Sequence, residues 1–139
     1  MIILDTNVIS EVMRNEPDPA VVSWLDGQPR ASVWTTSINV YEIRAGLHAM
    51  PAGKRRTSRL LSFEYILREA IQGRVAAFDL EAALLAAELE ASRSVRGRSV
   101  DPRDTMIAGI VMASRATLAT RNVKHFEDIA SSVVNPWEA

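Results

Sequence analysis

Ile2-Ile3-Leu4-Asp5-Thr6-Asn7 is the stretch whose reading decides the fold. Three consecutive apolar residues predict a short strand buried on both faces, and the Asp-Thr-Asn that halts it is rich in helix-capping groups. A strand buried on both faces belongs in the middle of a parallel sheet, with helices covering each side. Asp5 or Thr6 is expected to cap the first of these helices, which carries Val8, Ile9, Val12 and Met13 on its apolar face.

The same alternation continues down the chain. Pro17 and Pro19 open a second helix through Val21, Val22, Trp24 and Leu25, which Gly27 and Pro29 end. Residues 31 to 36 are β-branched and aromatic enough for a second strand, and Ser37 can cap a helix that runs through Glu42 to about Met50. Residues 54 to 73 start with basic side chains and continue as an amphipathic helix bearing Leu60, Leu61, Phe63, Ile66, Leu67 and Ile71. A third strand is expected at 75 to 78 and a strong helix from Leu80 to about Arg93. Asp101-Pro102-Arg103-Asp104 reads as a helix start, with Asp101 at the cap and Pro102 at the first position. Thr117 to Thr120 is a fourth strand, and Val133-Val134 can add a fifth at the edge. Gly46 and Gly73 read as breaks. The expectation is an α/β fold with a central, mostly parallel sheet of four to five strands flanked by helices, one domain over residues 1–139.

Composition narrows the chemistry. A chain of 139 residues with 47% hydrophobic content can bury a core unaided. There are no cysteines, so thiol catalysis, zinc–thiolate sites and disulfides are excluded. The net charge of −1 neither demands nor forbids a polyanionic partner. No basic, apolar leader opens the sequence and no apolar run approaches the ~18 residues of a membrane span, so a soluble cytoplasmic protein is expected.

Four polar clusters fall just beyond predicted strands or in the helical turns that follow: Asp5-Thr6-Asn7, residues 37 to 42, Asp101 to Asp104, and Thr120-Arg121-Asn122. In an open parallel sheet these positions share one edge, where ligands gather. Glu42 lies in the second turn of its helix, but helical side chains lean toward the N-terminus, so it can reach that edge. Three carboxylates brought together repel, by ~4 kcal/mol for two charges about 4 Å apart at an effective dielectric of ~20. A shared proton or a hard divalent cation, Mg²⁺ or Mn²⁺, offsets this, and a cation so held promotes phosphodiester hydrolysis. His48 and His125, in a helix and a late loop, form no evident acid–base pair.

These residues resemble the PIN domain, particularly VapC-type toxins and the FitB-like branch among them. The resemblance rests on residues 3–11 (Ile-Leu-Asp-Thr-Asn-Val-Ile-Ser-Glu), residues 41–46 (Tyr-Glu-Ile-Arg-Ala-Gly), Asp104 with Ile107-Ala108, residues 119–122 (Ala-Thr-Arg-Asn), and Asn135-Pro136-Trp137. It implies a PIN-like three-layer fold, Mg²⁺- or Mn²⁺-dependent endoribonuclease activity, RNA as substrate, and neutralisation by a DNA-binding antitoxin of VapB or FitA type. A homodimer is implied too. By position, Asp5 and Asp104 correspond to direct metal ligands and Glu42 to the third acid. Asn122 stands where many relatives carry a fourth acid. Thr6, Asn7 and Thr120 correspond to groups that orient the ligands.

Other readings compete for the same residues. A non-catalytic PIN-fold binding module fits the exchange of an acid for Asn122. An aspartyl-phosphate enzyme or phosphoacceptor also starts with an acid after its first strand, but the dehalogenase pattern wants a second aspartate where this chain has Asn7. The run Lys54-Arg55-Arg56 with Arg59 suits a solvated helix face as well as an RNA contact, and the three tryptophans suit packing.

Overall fold

The computed structural model describes residues 1–139. Five strands, β1 (Ile2–Leu4), β2 (Val33–Thr36), β3 (Val75–Ala76), β4 (Thr117–Ala119) and β5 (Val133–Val134), form one sheet in the order β3-β2-β1-β4-β5. Every pairing is parallel, with Ile3 between Trp34 and Leu118. The opening apolar triplet is therefore the centre of the sheet, as its composition requires. The order of the strands reverses at β1, so connections leave in opposite directions from its carboxyl end and open a crevice there.

Six α-helices cover the sheet: α1 (Thr6–Val12), α2 (Pro19–Asp26), α3 (Ser37–Ala49), α4 (Lys54–Tyr65), α5 (Leu80–Val95) and α6 (Pro102–Ser114). Alternation along the strands assigns each side chain to a layer. Ile3 and Leu118 point toward α5 and α6, where they join Ala82, Leu89, Ile107, Ile110 and Val111. Leu4 and Ala119 point the other way, to Val8, Ile9, Val21, Ile43, Leu47 and Phe63 from the first four helices. The closest helix contact is between α5 and α6 at Gly109. A Cβ there would stand 2.4 Å from the carbonyl oxygen of Ala82, so only glycine allows the approach.

Several element boundaries differ from the sequence expectation, each for a local reason. The second strand starts at Val33 because Arg30–Ser32 form a 3₁₀ turn, closed by the Ser32 hydroxyl donating to the Pro29 carbonyl at 2.6 Å. Thr36 rather than Ser37 caps α3, its hydroxyl oxygen accepting the Asn39 amide at 3.1 Å. The third strand stops at Ala76, since the Phe78 N–H turns away to the Ser37 hydroxyl at 3.1 Å. The long helix at 54–73 is α4 followed by a π-helical turn at Ile66–Ala70, and it ends where Gln72 and Gly73 take positive φ. Gly46 is no break; α3 continues through it. No helix is long and apolar enough to cross a membrane.

Candidate active site

Asp5 follows the last residue of β1 and caps α1, its Oδ1 accepting the Thr6 N–H at 2.8 Å. Its backbone N–H donates to the Ala119 carbonyl at 2.9 Å, so the turn is bolted to the end of β4. A cap usually lies at the surface, yet Asp5 is only 4% exposed. Its oxygens are filled from two further strand ends. Asn39 Nδ2 donates to Oδ1 at 2.9 Å, and the Thr120 hydroxyl donates to Oδ2 at 2.7 Å.

Asn39 organises the next shell. It is wholly buried in the first turn of α3, accepts the Thr36 hydroxyl at 2.6 Å, and also donates to the Thr6 hydroxyl oxygen at 3.0 Å. Thr6 in turn donates to Glu42 Oε1 at 2.9 Å. Asn39 and Glu42 are three residues apart on α3, hence on one helix face. This spacing, together with the lean of helical side chains, delivers Glu42 to the carboxyl edge of the sheet. Asn7 closes the other side: its Nδ2 donates to the Thr120 oxygen at 3.3 Å and its Oδ1 accepts the Arg121 N–H at 3.1 Å.

Asp104 reaches the site from the first turn of α6, which is capped by Asp101 and opened by Pro102 as the sequence predicts. Its Oδ2 lies 2.9 Å from His125 Nδ1, on the 3₁₀ turn Val123–Phe126. Arg103 leans on Asp101 and approaches Glu42 Oε2 at 3.7 Å, with its head half exposed.

The electrostatics follow from this crowding. Burial foremost, then the charge of Asp104, holds the Asp5 carboxyl above its ordinary range against the pull of its three hydrogen-bond donors. Burial also raises Glu42, with Asp5 and Asp104 adding to the effect and the Thr6 hydroxyl and Arg103 opposing it. Asp5 and Glu42 thus lie where carboxylate charge is disfavoured and cationic help from the chain is sparse.

The residues singled out by sequence divide accordingly. Asp5, Thr6, Asn7, Glu42 and Thr120 form one hydrogen-bonded network, and Asp104 faces it across the crevice. Asn122 does not join through its side chain: it is exposed, and only its backbone N–H takes part, donating to Thr120 Oγ1 at 3.1 Å. Two residues were missed. Asn39 lay inside a polar stretch after the second strand, and its spacing from Glu42 was the available signal. His125 gave none, since nothing local ties residue 125 to residue 104. His48 is remote from it, 3.2 Å from Arg44.

No three Asp, Glu or His side chains close into a ready-made metal cage. The carboxylates of Asp5, Glu42 and Asp104 nevertheless suit a hard cation, because each offers anionic oxygen. Mg²⁺ keeps several of its waters and takes only one or two carboxylates in most sites, so it does not need a closed cage.

Residues 2–131 match the PIN domain. The chain is 43% identical to the VapC ribonuclease Y4jK of Sinorhizobium fredii over 138 residues, covering 99% of each chain. It is 33% identical to Toxin FitB of Neisseria gonorrhoeae, again over 99% of each. Its fold superposes on a solved structure of FitAB bound to a DNA fragment with a TM-score of 0.89 and 33% identity, covering 99% of this chain and 96% of that one. With the parallel order β3-β2-β1-β4-β5 and the acids at the end of its central strand, the chain belongs to the PIN-domain family, in the group that contains VapC and FitB.

Proposed function

We propose that this protein is a Mg²⁺- or Mn²⁺-dependent endoribonuclease, the toxin of a type II toxin–antitoxin pair acting in the cytoplasm. The observation that carries the reading is that Asp5 and Glu42 are both bound to Thr6, one through its N–H and one through its hydroxyl, while burial and the neighbouring acids disfavour the charge of each. Such a cluster calls for a proton or a cation, and its oxygen donors favour the latter. Its relatives carry the names VapC ribonuclease and Toxin FitB, which is the second support.

Asp5 and Asp104 would hold the ion, with Glu42 as the third acid. When bound there, a divalent cation supplies charge neutralisation at the phosphodiester and makes a water more acidic. The chain's own residues do the positioning. Thr6 N–H and Asn39 fix one oxygen of Asp5 and Thr120 fixes the other, so the carboxylate cannot rotate. Thr6 orients Glu42 from the same hydroxyl that Asn39 holds. His125 fixes the orientation of Asp104.

The partner is a DNA-binding antitoxin of the VapB or FitA type, a reading supported by the likeness to FitAB bound to a DNA fragment, and the protein acts as a homodimer, as the family resemblance implies. The test is cleavage of RNA by the purified protein with and without Mg²⁺ or Mn²⁺. Cleavage is expected only with the ion, and Asp5→Asn is expected to abolish it while the protein stays folded. Metal-independent cleavage that survives Asp5→Asn would sink this reading. Exposed Asn122 in place of an acid favours one alternative, a non-catalytic binding module; absence of divalent-cation binding by calorimetry, with antitoxin binding intact, would establish that instead.

A further inference from the structure

The basic run at the start of α4 does not act as one cluster. Arg56 turns inward to donate to the Met50 carbonyl at 3.3 Å and is half-buried. Arg55 and Arg59 stay exposed, and neither enters an ion pair or a side-chain hydrogen bond. They are four residues apart and so lie on one face of the helix. Like charges at that spacing weaken a helix, and α4 has neither a side-chain cap nor an acid in its first turn to offset them. Helix stability does not account for these two arginines.

Their surroundings do. A cavity of about 400 Å³ meets the site at Thr6 and Glu42 and is walled by apolar Met13, Ile43, Leu47 and Met50 together with Arg14 and Arg59. A second groove, about 710 Å³, is lined by Arg55, Ser58, Ser62 and Glu16. Met13, Arg14 and Arg59 belong to both walls, so the two are one continuous trough leading away from the carboxylates. The distal part carries three guanidiniums against a single lining carboxylate, with serine hydroxyls between them. Arg14 is already committed to buried Glu11 at 3.0 Å, which leaves Arg55 and Arg59 as the unpaired cations.

We propose that this trough is the path of the RNA strand flanking the scissile bond, with Arg55 and Arg59 each neutralising a backbone phosphate. The proposal rests on the nuclease reading and gives it a direction: the strand leaves Glu42 between α1 and α4. Arginine and serine contact phosphate oxygens without reading bases, so these residues hold the strand in place and do not select its sequence. An acidic centre repels a polyanion, and unpaired cations along the adjoining trough restore the attraction.

Salt dependence of binding tests the path, because each neutralised phosphate on a single strand contributes ~0.7 to the slope of log K against log salt. A labelled oligouridylate is titrated in divalent-free buffer, its integrity checked on a gel, with wild type, Arg55→Ala/Arg59→Ala, and Arg115→Asn at the far end of α6. The double variant is expected to flatten the slope by about 1.4, and Arg115→Asn to leave it unchanged. Thermal unfolding confirms that the variant is folded, with Arg55→Gln/Arg59→Gln as a second pair should the alanines unfold. A slope in the double variant equal to that of wild type overturns the path while leaving the nuclease reading standing. Wild type that binds no oligouridylate also overturns the path, whereas the nuclease reading is decided separately by metal-dependent cleavage. An unaltered RNA slope with loss of salt-dependent binding to polyglutamate assigns the trough to an acidic protein segment and overturns the RNA path.

Discussion

Asp5 and Asp128 both have shielded carboxylates, Asp5 as a residue 4% exposed and Asp128 with a 4% exposed side chain on a half-buried residue, and the protein treats their charges in opposite ways. Asp128 is met by a guanidinium fork: Arg93 Nη2 at 2.8 Å from Oδ1 and Nε at 2.9 Å from Oδ2, with Arg96 adding a third contact at 2.9 Å. Its carboxyl is held well below the usual range, chiefly by Arg93. Asp5 receives only neutral donors, and its carboxyl is pushed up by burial and by Asp104. The first arrangement is complete within the chain, whereas the second lacks a positive charge. A closed ion pair fixes structure, and an acid cluster short of cations is suited to take one up.

The Asp128 pair also serves the site. Arg93 is itself buried, and its remaining donors go to the Thr105 hydroxyl at 2.9 Å and the His125 carbonyl at 2.7 Å. Thr105 is next to Asp104, and the His125 ring contacts Asp104. One buried arginine on α5 thus ties together α6 and the late turn, the two segments that hold Asp104 in place.

Breaking the complete pair should have the largest effect on stability. Arg93→Met leaves Asp128 buried with only the half-exposed Arg96, and a loss of about 3 kcal/mol is expected, the lower end of the range for an orphaned buried charge. Urea denaturation measures it, and a loss below about 1 kcal/mol would show that the pair is no structural lock. A pH series sharpens the same point. Because the folded-state pKa of Asp128 is depressed, its ionisation stabilises the fold above the unfolded value of about 3.9. That contribution is lost as pH falls through the folded pKa, so the stability gap between wild type and Asp128→Asn should narrow steadily below about pH 4. A gap that stays constant on acidification would contradict the assignment.

The smallest expected effect is at Asp5. Asp5 has a raised pKa, so above that value its ionised form costs stability, and the cost disappears as the group protonates. Asp5→Asn removes the charge and keeps an acceptor for Thr6 and Asn39, but its amide nitrogen cannot accept the buried Thr120 hydroxyl, which offsets the gain. In divalent-free buffer near neutral pH its stability should therefore stay within about 1 kcal/mol of wild type, the scale of a single hydrogen bond. Calorimetric melting checks this, and destabilisation comparable to that of Arg93→Met would erase the distinction between the two aspartates.

Much of this was legible before the fold. Ile2-Ile3-Leu4 announces a doubly buried central strand, and Asp101-Pro102 announces the start of α6, since both follow from local backbone preferences. The polar clusters beyond the strand ends also drew attention to Asp5, Glu42 and Asp104, and the PIN resemblance assigned their roles. Asn122 shows the limit of that route, because positional likeness named it a site residue while the structure leaves its side chain outside the network. The split of residues 54–59 into inward Arg56 and free Arg55 and Arg59 was likewise invisible in a run of like charges.

The sequence by itself determined the elements, their order and the edge of the sheet at which the acids gather, because strand burial, helix caps and periodicity act over a few residues. Tertiary structure alone decided which polar groups meet. Asn39 reaches Asp5 across 34 residues, Thr120 reaches it across 115, and His125 reaches Asp104 across 21. Those contacts depend on helix packing against the two faces of the sheet, so no local pattern encodes them. The same packing left Asp128 paired and Asp5 with no cation of its own.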